Sequence, residues 1–170
     1  VSAGAGYAVV LGDVDLARAE AGKVGIGKAL DRLVAKEKMT AGDADALLAR
    51  ITPVADHAAF APCDLVIEAA TEREEIKRAI FASIGAHLSA TAILATNTSS
   101  IPITRLAQAA PEPARFIGVH FFNPVPVMGL IELIRGLATS AETLGAVEAF
   151  GRRLGKEIVH AQDAPGFIVN

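Results

Sequence analysis

Short apolar runs alternate with polar, helix-forming stretches along the chain. Val9, Val10 and Leu11 form an apolar run stopped by Gly12 and Asp13, the pattern of a short buried strand. Residues 16–38 follow as a long alanine-rich helical stretch, interrupted by Gly22, Gly25 and Gly27 and basic at its end, as helix C-termini prefer. Residues 40–43 have the composition of a cap, opening a second helix through Leu47, Leu48 and Arg50. The two helices predict a helical hairpin. Residues 51–54 predict a brief extended piece at a sheet edge, because Pro53 has no N–H for a central ladder.

The middle of the chain is more regular. Residues 64–68 read as an apolar strand, and residues 74–88 as a helix with Ile76, Ile80, Ile84 and Leu88 on one face. Residues 91–95 form the next predicted strand, and residues 97–100 a polar turn. Residues 102–109 follow as a short helix whose first turn tolerates Pro102. Residues 116–119 and 130–134 are further strands. Thr139 or Ser140 caps a helix running to Leu154, and residues 157–160 close the series.

Strands that are apolar throughout, alternating with helices, predict an α/β domain over residues 1–170. Its expected form is a Rossmann-type doubly wound, mostly parallel sheet, covered on both faces, with the hairpin inserted after the strand ending at Asp13. Ligands of such sheets bind beyond the carboxyl ends of the strands. Asp13, residues 68–72, residues 97–100 and residues 120–124 all fall at predicted strand ends. Four polar clusters are thus expected on one edge.

Composition narrows the choice of partner. The 170 residues are 52% hydrophobic and carry a net charge of −3 with no block of like charge. That disfavours nucleic acid, whose binders concentrate basic charge, and favours a small molecule. Apolar runs of about eight residues at most fall short of a membrane span. The single cysteine, Cys63, excludes an intramolecular disulfide and a cysteine-based zinc cluster, which fits a reducing cytoplasm. His57, His87 and His160 lack the neighbours of a metal site, and no metal is expected.

Several residues carry chemistry. A carboxylate at Asp13 suits the hydroxyls of an adenosine ribose and repels a 2′-phosphate, favouring NAD over NADP; the competing reading is a helix N-cap, for which Asp15 is the rival. Glu72 and Lys77 either face the nicotinamide half of a dinucleotide or are solvated helix-start charges. In the run Asn97, Thr98, Ser99 and Ser100, Ser100 can cap the following helix while Ser99 points into a cleft. His120 comes after an apolar strand, where an imidazole can serve as general base or be a structural histidine. Glu132 sits in the middle of the apolar run 130–134. A carboxylate there is costly to bury without a partner, and His120 is the natural one.

Three blocks complete the picture: residues 95–100 (Ala-Thr-Asn-Thr-Ser-Ser), residues 120–128 (His-Phe-Phe-Asn-Pro-Val-Pro-Val-Met) and residues 163–170 (Asp-Ala-Pro-Gly-Phe-Ile-Val-Asn). With residues 64–69 as a fourth, the chain resembles the L-3-hydroxyacyl-CoA dehydrogenases over essentially its whole length. The resemblance implies NAD-dependent oxidation of an L-3-hydroxyacyl-CoA in fatty-acid or aromatic-acid degradation. His120 would be the base, Glu132 its carboxylate partner, and Ser99 and Asn170 the groups that hydrogen-bond the reacting oxygen and the thioester region. Asp13, Glu72, Lys77 and Asn97 match the cofactor-contacting set.

Two departures stand out from the family's pattern. No Gly-x-Gly-x-x-Gly fingerprint occurs in the chain, so the first strand and its phosphate loop are expected upstream, residues 1–6 being the tail of the first helix. A helical domain that makes a homodimer is expected beyond Asn170. Arg73 stands where the family often has Asn. The alternatives are a crystallin-like dehydrogenase of a sugar acid and a non-catalytic nucleotide-binding fragment.

Overall fold

The computed structural model describes residues 1–164. Two compact units divide the chain, the first from Val1 to Ala59 and the second from Phe60 onward.

In the first unit, β1 (Val9–Gly12) pairs in parallel with β2 (Ile51–Val54). Pro53 lies opposite Leu11, and β2 pairs with no other described strand, so the edge position expected from its proline holds. Between them run α1 (Leu16–Ala35) and α2 (Ala41–Ala49), the expected helical hairpin. The α1 helix runs unbroken through its three glycines. Two of those glycines bring other elements close: a Cβ at Gly22 would lie 3.5 Å from Leu11 Cδ2, and one at Gly27 would lie 3.6 Å from Leu48 Cδ1.

The α1 helix ends three residues earlier than its composition predicts. Glu37 adopts φ 54, Lys38 N donates to Leu33 O and Glu37 N to Val34 O, both at 2.9 Å. This 6→1 and 5→2 pair closes the helix with a non-glycine residue in the left-handed position. Thr40 then caps α2, its hydroxyl accepting from Asp43 N and donating to Asp43 Oδ2. Residues 1–6 lie in turns, with Ala5 N bonded to Val1 O at 3.0 Å.

The second unit holds a five-stranded sheet in the order β3 (Leu65–Glu68), β4 (Ile93–Thr96), β5 (Phe116–Phe121), β6 (Leu130–Ile134), β7 (Glu157–Ala161). The β3, β4 and β5 strands are mutually parallel, β6 is antiparallel to β5, and β7 is parallel to β6. On one face, α3 (Glu74–Gly85) and α4 (Ile103–Ala107) bury Phe81, Ile84, Ile103 and Leu106 against Val66, Leu94, Phe116 and Ile134. On the other, α5 (Ala141–Arg153) buries Val147 against Ile93, Ala95, Ile117, Val119, Ile131 and Leu133. Both faces are covered, as continuously apolar strands require. Ser140 provides the cap of α5, accepting from Thr143 N at 3.1 Å.

Two sequence expectations change here. The apolar face of α3 was expected through Ile76, yet Ile76 is 37% exposed and Lys77 is buried beside Phe81 and Ile84. Ile80, Ile84 and Leu88 pack against the core, but steps of four residues overshoot a helical turn by about 40° each, so the first member of the stripe, Ile76, falls off the buried face. Lys77 occupies the position nearest the strands. The second change concerns β5, which extends to Phe121. His120 therefore lies inside the strand rather than after it.

Among the described residues, no helix is long and apolar enough to cross a membrane.

Candidate functional site

Three of the four expected polar clusters belong to the second unit, and hydrogen bonds join them. They stand at the carboxyl ends of β3, β4 and β5, which share one edge because the three strands are parallel.

The β5–β6 ladder makes the first contact. Antiparallel register sets His120 directly opposite Glu132. Alternation along a strand turns both toward the face covered by α3 and α4, the side of Phe116 and Ile134. His120 Nδ1 lies 2.7 Å from Glu132 Oε2, with His120 7% and Glu132 0% exposed. A carboxylate only accepts, so Nδ1 is the donor and Nε2 carries the basic lone pair. The Phe122 ring packs on the imidazole, with centroids 4.5 Å apart. The dyad read from an acidic residue in an apolar strand is therefore present in the fold.

Glu72 organises the second contact. Its Oε1 accepts from Thr98 Oγ1 (2.6 Å), Ser99 N (2.9 Å), Ser100 Oγ (3.0 Å) and Ser99 Oγ (3.2 Å). Partial burial alone would raise the Glu72 carboxyl. The bonds from Thr98, Ser99 N and Ser100, with the charge of Lys77, outweigh burial and hold it below the ordinary glutamate value. Glu72 is thus the carboxylate on which the 98–100 turn is folded.

Ser100 does not cap the next helix, contrary to the sequence reading. Its hydroxyl is on Glu72, and the capping position of α4 is Pro102, which has no side-chain bond to offer. Asp163 does the work instead, from 60 residues downstream, accepting from Ile103 N, Thr104 N and Thr104 Oγ1. Gly118 lets α4 lie against β5, since a Cβ there would sit 2.6 Å from Ile103 Cδ1 and 3.0 Å from Ile134 Cβ.

Asn97 ties β4 to β5. Its N donates to Glu68 O at 2.7 Å, and its side-chain Oδ1 accepts from Phe121 N at 2.9 Å, next to His120. Lys77 is no solvated helix-start charge: its side chain is 1% exposed and its ammonium donates to Glu68 Oε2 at 2.7 Å. Glu68 went unassigned in the sequence reading, because a carboxylate at a strand end looks solvated. It is 5% exposed, and it also accepts from Thr96 Oγ1 and Ala70 N, both at 2.7 Å. Arg73 occupies the capping position of α3 without a side-chain bond, so the residue that departs from the family pattern leaves that cap unmade.

In the first unit, Asp13 stands exposed just past β1, its Oδ1 accepting from Val14 N at 2.7 Å. Asp15 takes the capping role of α1, accepting from Arg18 N at 2.8 Å. The N-cap alternative for Asp13 is thereby removed, and an exposed carboxylate at a strand end fits the diol of a ribose. Among the residues of this sequence no glycine loop for a pyrophosphate occurs. Asn170 lies outside the described residues.

Comparison with known proteins agrees with this geometry. The family described as 3-hydroxyacyl-CoA dehydrogenase, NAD binding domain, matches residues 1–164. A 3-hydroxybutyryl-CoA dehydrogenase of Bradyrhizobium diazoefficiens is 48% identical over 170 residues, all of this chain and 58% of the relative. A 3-hydroxyadipyl-CoA dehydrogenase of Escherichia coli is 42% identical over the same length, 36% of that protein. The crystal structure of (S)-3-hydroxybutyryl-CoA dehydrogenase from Ralstonia eutropha superposes with a TM-score of 0.96 at 46% identity, covering 99% of this chain and 59% of that one. The chain thus spans well under two thirds of these relatives. By the extent of the match and the identity of its relatives, the chain belongs to the NAD-binding domain family of the 3-hydroxyacyl-CoA dehydrogenases.

Proposed function

We propose that the protein containing this chain oxidises an L-3-hydroxyacyl-CoA to the 3-ketoacyl-CoA, with His120 as general base. The observation that carries the reading is the 2.7 Å contact between His120 Nδ1 and Glu132 Oε2 at directly opposed ladder positions. When bound, NAD supplies the hydride acceptor for C3. The chain's own part is proton handling and alignment. His120 Nε2 takes the proton of the 3-hydroxyl, and Glu132 fixes the tautomer and stabilises the imidazolium that forms. In the reverse direction the imidazolium returns that proton to the ketone oxygen.

In this reading Ser99, held on Glu72, hydrogen-bonds the reacting oxygen, and Asn170 takes the thioester role that the family resemblance implies. Asp13 is the ribose acceptor, and Glu72, Lys77 and Asn97 support the nicotinamide side. The names of the relatives point to 3-hydroxybutyryl-CoA or 3-hydroxyadipyl-CoA as substrate classes; a cytoplasmic homodimer is a separate part of the proposal. The isolated 170-residue chain, without a pyrophosphate loop, binds NAD weakly and is inactive.

The test is NADH formation by the full-length protein with 3-hydroxybutyryl-CoA, 3-hydroxyadipyl-CoA and the free hydroxy acids. Turnover confined to the acyl-CoA substrates supports the reading. Preference for a free acid, or normal turnover by residues 1–170 alone, would overturn the corresponding part of it.

A further inference from the structure

A second group of buried charges lies beside the site, and the proposed proton chemistry does not use it. Lys77 reaches from α3 to three neighbours. Its Nζ is 2.7 Å from Glu68 Oε2, 3.4 Å from Asn97 O and 3.8 Å from Glu72 Oε2. One ammonium therefore touches the end of β3, the residue after β4 and the loop that enters α3. Each neighbour leads on to the site. Glu72 carries the hydroxyls and backbone of residues 98–100. Asn97 holds the amide of Phe121 beside His120.

The cation's own position is set by Glu68. That carboxylate is held by three donors, Ala70 N, Lys77 Nζ and Thr96 Oγ1, each at 2.7 Å, so it has little freedom to follow the lysine elsewhere. For stability alone such a pair is a poor device. Desolvating two charges offsets most of their attraction, and apolar replacements of similar size are often as stable. What an apolar pair lacks is a directional cation between Asn97 and Glu72.

We infer that Glu68, with Thr96, is a positioning group of the active site: it stations the Lys77 ammonium, which steadies both the Glu72 carboxylate that holds the Ser99 turn and the backbone carbonyl of Asn97, whose side-chain Oδ1 holds the His120 end of β5. The inference rests on the dehydrogenase reading, and the experiment separates the two. In the full-length protein, Glu68→Gln, Lys77→Met, the double variant and Thr96→Val are compared with wild type for melting temperature, kcat and both KM values.

Acyl-CoA turnover by wild type checks the underlying reading, and its absence sinks both. Glu68→Gln and Lys77→Met each lower kcat by about tenfold, while both KM values stay within about threefold, because alignment is lost rather than binding. The double variant is no slower than either single, since the two act as one unit, although its melting temperature recovers. Thr96→Val, which removes one hydroxyl in a strand, lowers kcat by about two- to threefold with little change in melting. It remains informative if Glu68→Gln fails to fold. Recovery of kcat together with melting temperature in the double variant would reduce the pair to a structural role. Losses that multiply, or a rise in NAD KM seen with Lys77→Met and not with Glu68→Gln, would show that Lys77 acts without Glu68. Either result overturns the inference.

Discussion

Two carboxylates lie buried on the same face of the five-stranded sheet, Glu68 at the end of β3 and Glu132 in β6, and each holds a nitrogen base at 2.7 Å. Their settings differ. Glu68 grips a lysine that is fully buried, and a hydroxyl and an amide hold it as well. Glu132 faces a histidine across a ladder, at the open end of a strand, where the imidazole keeps 9% of its surface exposed. A charge locked on every side can orient its neighbours and cannot exchange protons with a substrate. A base with one side fixed and one edge reachable can. Under the proposed function, the same pairing serves alignment in one place and proton transfer in the other.

Breaking the locked pair gives the largest expected effect. Lys77→Met leaves the Glu68 carboxylate buried without its cation and costs about 3–5 kcal/mol of stability, read from urea unfolding of the full-length protein. A loss under about 1 kcal/mol would mean that Glu68 is solvated after all. Breaking the reachable pair has the opposite signature. His120→Gln lowers turnover by about two powers of ten or more, with a smaller change in unfolding than Lys77→Met, because the glutamine amide still offers Glu132 a donor. Near-normal turnover would remove His120 from the chemistry. Glu132→Gln sharpens the contrast: the fold keeps a hydrogen-bonding partner for Nδ1, and turnover falls by about tenfold or more as the imidazolium loses its counter-charge. Turnover equal to wild type would leave Glu132 a merely structural carboxylate.

The smallest effect concerns Glu72, which joins the Lys77 ammonium to the 98–100 turn. Its carboxyl is held below the ordinary glutamate value of 4.5. A depressed carboxyl contributes stability that is complete above the unfolded value and lost as pH falls through the folded one. Glu72→Gln therefore flattens the acid unfolding curve only below about pH 4.5, and an unchanged curve would mean that the 98–100 turn does not hold the ionised form. The residue is partly exposed, so the shift is modest.

The His120–Glu132 contact was legible in the sequence and the Glu68–Lys77 contact was not. Glu132 betrayed itself because an acid in an apolar strand demands a partner, and the register of one hairpin supplies it. Glu68 sits where a strand meets a loop, a place where carboxylates are ordinarily solvated. The sequence leaves Lys77 between two readings, cofactor-facing and solvated, because only packing reveals which residue of the first turn meets the sheet. The capping of α1 by Asp15 and of α2 by Thr40 follows from local chemistry and was within reach. The left-handed Glu37 that stops α1 was not, since glutamate is a rare choice there.

The grip of Asp163 on α4 has a consequence for how the protein is made. A five-residue helix is far too short to persist alone, and its first amides are satisfied from a residue that leaves the ribosome 60 positions later. Such a distant closure is slow to form compared with local contacts. The first turn of α4 therefore acquires its final support late, so nascent chains halted before residue 163 should carry a folded sheet beside an unfinished α4. Hydrogen exchange at Ile103 and Thr104 in chains halted on either side of that residue would reveal the delay, and equal protection in both would refute it.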